Sequence, residues 1–90
     1  AYDMVNHRRF AGGTLEVRMN VRHAAIQEIG FTGDFLSRRE LSPLTEALRG
    51  CAVEPDAVEE VLRKFPLPEY FGTITAGEVR DTICNKGNGE

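Results

Sequence analysis

The carboxylate with the most suggestive setting is Asp34, in the stretch IGFTGDFLSRRE from Ile29 to Glu40, where an apolar run ends at Gly33 and two large apolar residues follow. A carboxylate there has two uses. It can accept backbone N–H bonds in a sheet-to-helix turn, with Gly33 in a conformation closed to other residues, or it can contact a ligand or partner directly. Tyr70-Phe71-Gly72, after Pro66-Leu67-Pro68, poses a similar choice between plugging the core edge and forming an aromatic binding platform. The remaining reactive groups do not assemble into a constellation. Cys51 and Cys84 are far apart and in no C-x-x-C pair, so a closed metal site would need His7, His23 or distant carboxylates, and none is expected. His7 among polar residues and His23 in a turn read as solvated loop histidines. Glu54, Asp56, Glu59 and Glu60 read as a helix start and its exposed face, where negative charge suits the dipole. Gly12-Gly13 lacks the further glycines and the lysine of a phosphate-cradling loop and leads into a strand. No nucleophile has a base in local reach, so an independent enzyme is not indicated.

Whatever these residues do, they sit in one small domain. A chain of 90 residues buries roughly 60–65% of its unfolded surface, enough for a single core with little to spare. With 41% hydrophobic and 28% charged residues it has the composition of a soluble globular domain. No apolar run approaches the roughly 18 residues of a membrane span, and AYDMVNHRRF is no signal peptide, so the default expectation is cytoplasmic with no membrane partner. A net charge of −3, with basic residues in pairs such as Arg8-Arg9 and Arg38-Arg39 rather than in a long stripe, argues against nucleic acid.

The elements follow from periodicity. TLEVRMNVR, Thr14 to Arg22, alternates strictly, with Leu15, Val17, Met19 and Val21 on one face and Glu16, Arg18, Asn20 and Arg22 on the other, which predicts a half-buried strand. Ile29 and Phe31 share a face of the next strand. Ile26 lies three residues before Ile29 and breaks the period of two, so a bulge or the turn belongs near Gln27. Arg9-Phe10 is a candidate third strand, entering through Gly12-Gly13. Ser42-Pro43 is an N-cap followed by a favoured first helical residue; Leu44, Ala47 and Leu48 form a stripe, and Gly50 is a stop. Pro55 opens a helix carrying Val58, Val61, Leu62 and Phe65, closed by Pro66. Thr75-Ala76-Gly77-Glu78 has the form of a capping box, with Ile74 and Val79 spaced as a hydrophobic staple leading into Ile83. The expected architecture is α+β and two-layer: a small antiparallel sheet of about three strands, covered on one face by about three short helices.

These segments, in this order, closely resemble the C-terminal accessory domain of bacterial lipoate-protein ligases. The resemblance runs from Phe10 to about Ile83, and its most telling pieces are Gly33-Asp34-Phe35, Leu48-Arg49-Gly50 and Tyr70-Phe71-Gly72-Thr73-Ile74-Thr75. Departures are few: the turn His23-Ala24-Ala25 lacks the Asn or Gly usual there, and Gly77 weakens the last helix by about 1 kcal/mol relative to Ala. The resemblance implies a domain organisation in which residues 1–9 are a linker from an absent large catalytic domain, 10–84 the accessory domain and 85–90 a disordered tail. It also implies a parent reaction. Lipoate and ATP, with magnesium, give lipoyl-AMP, and the acyl group then passes to a lysine of an acceptor protein, such as a 2-oxoacid dehydrogenase subunit or the glycine cleavage H protein. ATP, magnesium and lipoate would be held by the large domain, and this chain alone would bind no cofactor. Its part would be to close over the adenylate site and move aside for transfer, with Gly33, Asp34 and Phe35, then Arg38 and Arg39, and Tyr70 and Phe71 as candidate interface residues. Two other readings stand beside this one. The chain is also compatible with a small protein-interaction module, and with an iron–sulfur-scaffold-like domain, although scaffolds of that kind use three clustered cysteines where this chain has two.

Overall fold

The structure, a computed structural model, describes residues 2–84; the tail expected to be disordered, 85–90, lies outside the described residues. Three strands, β1 (Met4–Phe10), β2 (Gly13–Arg22) and β3 (Ala25–Gly33), form an antiparallel sheet in the order β1-β2-β3. Leu15, Val17 and Met19 of β2 are fully buried, as their alternation predicts. They stand opposite Gly33, Phe31 and Ile29 of β3, so paired strands present one apolar face. The register shifts after Asn20: Asn20 faces Glu28, while Val21 faces Ile26, leaving Gln27 as the extra residue of a bulge. The bulge restores Ile26 to the buried face, where it is 1% exposed, and so accounts for the three-residue step between Ile26 and Ile29.

The third strand is longer than its periodicity suggests. It begins at Met4, not Arg9, and pairs with β2 from Met4 opposite Met19 to Phe10 opposite Gly13. Alternation is weak in β1 because its core-side positions include Asn6 and Arg8. Asn6 is useful there: its Nδ2 donates to the carbonyls of Thr82 and Ile83, at 2.9 and 3.4 Å. Both carbonyls lie in the last described turn of the helix over Ala76–Cys84.

Four helices cover that one face: α1 (Ser42–Leu48), α2 (Pro55–Leu62), α3 (Leu67–Phe71) and α4 (Ala76–Cys84). α1 lies against β3, α4 against β1 and β2, and α2 packs on α1 and α4. Leu44 and Leu48, Val58 and Leu62, and Val79 and Ile83 are all buried; each pair is four residues apart and therefore on one helix face. Each such side chain contributes about 1.5–3 kcal/mol on burial. Ala47, expected in the stripe, is exposed.

Helix ends differ in instructive ways. The capping box of α4 forms as expected: the Glu78 N–H donates to Thr75 Oγ1 at 3.1 Å, and the Thr75 N–H to Glu78 Oε1 at 3.0 Å. Both staple residues, Ile74 and Val79, are buried. Ser42, by contrast, is not the N-cap of α1. Leu41 takes that position, with its side chain partly buried against the core, and Ser42 is already helical. Gly50 ends this helix region in a left-handed conformation at φ 86°. α2 tightens before Pro66 through bonds from Lys64 to Val61 and from Phe65 to Leu62, because a residue preceding proline disfavours the α region. Helix α3 falls where sequence reading expects a loop. Prolines within its first turn remove only N–H groups that lack intrahelical acceptors.

Candidate functional site

The two suspect segments of the sequence, 33–39 and 69–72, meet in the fold. Phe35 turns inward so that its ring centroid lies 5.3 Å from that of Phe71, which in turn meets Phe31 edge-on at 5.2 Å. The Arg38 N–H donates to the Glu69 carbonyl at 2.8 Å, and the Arg39 guanidinium pairs with the Glu69 carboxylate. Arg39 also lies over the Tyr70 ring, 6.0 Å from its centroid. Glu69 raises the Arg39 pKa further above its ordinary value by hydrogen bonding and charge. Ser37 Oγ donates to the Arg39 carbonyl at 2.7 Å. The loop is thus pinned on both sides.

Asp34 has a defined task within it. Its Oδ1 accepts the Thr14 N–H at 2.6 Å and the Thr14 hydroxyl at 3.0 Å, tying the end of β3 to the start of β2. The Thr14 N–H bond, with help from the Thr14 hydroxyl and the Arg9 charge, holds the carboxyl below its ordinary value of 3.8. Gly33 makes this approach possible at φ 154°: a Cβ there would stand 2.2 Å from the Thr14 carbonyl oxygen. No other side chain would be tolerated without moving backbone.

Exposure divides the candidates. Tyr70 and Phe71 are 2% and 0% exposed, which places them in the core. Gly33, Asp34, Arg38 and Arg39 are on the surface, and Phe35 is half-buried. Between them stands a residue that sequence reasoning passed over: Leu36, 73% exposed, the most exposed of the large apolar side chains. The signal was the Phe35-Leu36 pair itself, since successive side chains of an extended segment point opposite ways and only one can enter the core. The Leu36 backbone rests on Gly72, where a Cβ would meet its carbonyl oxygen at 3.1 Å. Among the described residues, no group of three or more His, Cys, Asp or Glu side chains is placed to hold a metal ion. Burial pushes the Cys51 thiol above its ordinary value, which disfavours the reactive thiolate. No helix of the described residues is long and apolar enough to cross a membrane.

Comparison with known families is decisive at this point: the model for the bacterial lipoate protein ligase C-terminus matches residues 1–83. The chain belongs to this family. The lipoate-protein ligase of Streptococcus pyogenes is 32% identical over 75 residues, covering 83% of this chain and 22% of the relative. A probable lipoate-protein ligase A of Mycoplasma pneumoniae is 31% identical over 91 aligned positions, covering 99% of this chain and 27% of the relative. Lipoate-protein ligase 1 of Staphylococcus aureus is 28% identical over 78 residues, with 87% and 24% covered. The chain therefore spans about a quarter of the length of the curated relatives it matches. As a lipoate-protein ligase C-terminal domain, it offers a pinned loop and an uncovered sheet face, and among its described residues no convergent nucleophile, base and oxyanion set.

Proposed function

We propose that this domain is the mobile cover of a lipoate-protein ligase, closing over the lipoyl-AMP site of a large catalytic domain and moving aside for transfer to an acceptor lysine. The observation that carries this reading is the span of the match: the chain aligns with 22–27% of proteins named as ligases. The reaction would proceed in two steps. A carboxylate oxygen of lipoate attacks the α-phosphorus of ATP, releasing pyrophosphate and leaving a mixed anhydride. An acceptor lysine amine then attacks the acyl carbon, and AMP departs. ATP, magnesium and lipoate belong to the catalytic domain, since a paired-glycine turn that leads into β2 gives this chain no phosphate loop.

A domain with no reacting side chain still raises the rate of such a reaction by excluding water from the anhydride and by completing the site when closed. The 33–39 loop suits that role. Its conformation is set before contact by Asp34, Phe35 and Glu69, so little ordering cost remains when it docks. Leu36 supplies an apolar anchor with Arg38 and Arg39 beside it, arginine being well matched to carboxylate or phosphate.

The test is complementation in trans. The 90-residue chain, added to a matching ligase catalytic domain, is expected to increase lipoate-dependent pyrophosphate release and to slow hydrolysis of the adenylate, while the chain alone turns over no ATP. Absence of any stimulation across several such catalytic domains would sink the proposal.

A further inference from the structure

Three features meet at the tip of the β2–β3 hairpin. The two-residue turn holds His23 and Ala24 at φ 57° and 65°, left-handed conformations that a tight hairpin turn requires and that are uncommon for non-glycine residues. The segment after α1 braces the turn: the Val53 N–H donates to the Ala24 carbonyl at 3.1 Å, and the Ile26 N–H to that of Cys51 at 2.8 Å. Beside the turn opens a cleft of about 460 Å³, with Arg22, His23 and Arg49 among its walls and Ala25, Ile26 and Gly50 supplying apolar surface. A Cβ on Gly50 would meet nothing within 4 Å, so the backbone there is open to an incoming group.

The charge of the cleft runs against that of the chain. The whole sequence carries −3, yet every ionisable residue lining the cleft is an arginine or the histidine, with no carboxylate among them. The side chains of Arg22 and His23 make no hydrogen bond or ion pair with other described residues. Arg49 keeps only long contacts, from Nε to the Gln27 carbonyl at 3.3 Å and from Nη1 to the two Glu46 carboxylate oxygens at 3.5 and 3.4 Å. A guanidinium has five donors in a planar fork, so most of the Arg49 donors remain for a ligand, and among the described residues Glu46 is the carboxylate Arg49 pairs with and an arriving anion must displace.

We propose that this cleft binds a phosphate group, with Arg22 and Arg49 as the charged clamp, His23 as a further donor, and the Ala25–Ile26 surface against any apolar part of the ligand. Two guanidiniums match a phosphate, which carries about −1.5 to −2 at pH 7, better than a carboxylate of single charge. The site stands on this chain alone and does not depend on the ligase reading. An amide-resolved NMR titration of the 90-residue chain with phenyl phosphate, inorganic phosphate and benzoate tests it without any enzyme assay. Expected are saturable shifts concentrated at residues 22–27 and 49–50, weaker binding of benzoate than of either phosphate, and a Kd raised about tenfold or more by R22Q combined with R49Q. Tighter binding of phenyl phosphate than of inorganic phosphate would identify an ester as the ligand class; equal binding would identify the free anion. Because the Arg22 side chain is exposed and makes no hydrogen bond or ion pair with other described residues, R22Q alone serves as the variant that leaves the fold intact, and it too should weaken binding. Shifts spread evenly over Arg38, Arg63 and Lys64, indifference to R22Q, or benzoate binding as tightly as phosphate would overturn the assignment.

Discussion

At Asp34, a single carboxylate oxygen serves as acceptor for both the amide and the hydroxyl of Thr14. The charged form makes these bonds better than the protonated form, and this is why the folded pKa lies below 3.8. The consequence for stability has a definite sign. A carboxyl with a depressed folded pKa stabilises fully above its unfolded value, and the contribution drains away as pH falls from 3.8 through the folded value. Asp34→Asn is therefore expected to lower the melting temperature at pH 7, and the gap between wild type and variant should shrink below pH 3.8; thermal denaturation at pH 7 and at acid pH checks both. An unchanged melting temperature, with loss of stimulation in the ligase assay, would instead make Asp34 a contact across the domain interface. Gly33-Asp34 was legible in sequence as a turn. Its partner was not, because Thr14 lies 20 residues away on another strand and only the pairing of β2 with β3 brings the two together.

At the scale of elements, the β2–β3 hairpin and helix α4 show opposite degrees of agreement with local rules. The hairpin uses a tight turn in which both central residues have positive φ, a geometry that favours Asn-Gly, and fills it with His23-Ala24. Ala24→Gly relieves left-handed strain, partly offset by a more flexible unfolded chain, and is expected to stabilise by about 0.5–1 kcal/mol. For a domain of this size that is a rise of roughly 2–8 °C in Tm, measurable by calorimetry. Helix α4 obeys its rules instead. Thr75 and Glu78 satisfy each other's backbone N–H groups, and Thr75→Ala is expected to cost about 1 kcal/mol in chemical denaturation. The capping box was readable because its partners are three residues apart. Strand β1 was less so: it places Asn6 and Arg8 on the covered side, where the Asn6 amide is accommodated because α4 offers the Thr82 and Ile83 carbonyls. The short helix α3 was hidden by its prolines.

For the whole molecule, the main consequence of the fold is that Leu36 stands out as the most exposed large apolar side chain, ahead of Val5, Tyr2 and Met4 near the start of the chain. Being 73% exposed, it adds little to the core, so Leu36→Asp should leave stability within about 0.5 kcal/mol. If the loop docks on a catalytic domain, the same substitution should reduce stimulation in trans severalfold, since a charge would enter an interface centre. Retention of full stimulation would move the docking surface elsewhere, the uncovered sheet face being the next to test. The amino-acid sequence by itself determined the β2 alternation, an irregularity near Gln27 that the strand register then showed to be a bulge, the turn at Gly33-Asp34, the capping box and the family, because each rests on residues within a few positions of one another or on their order along the chain. Tertiary structure alone decided that Tyr70 and Phe71 are core, that Asp34 belongs to Thr14, that Phe35 rather than Leu36 turns inward, and that Arg22, His23 and Arg49 share one cleft. Those outcomes depend on which distant segments are brought within a few ångströms by burial of the common apolar face, and no local pattern encodes them.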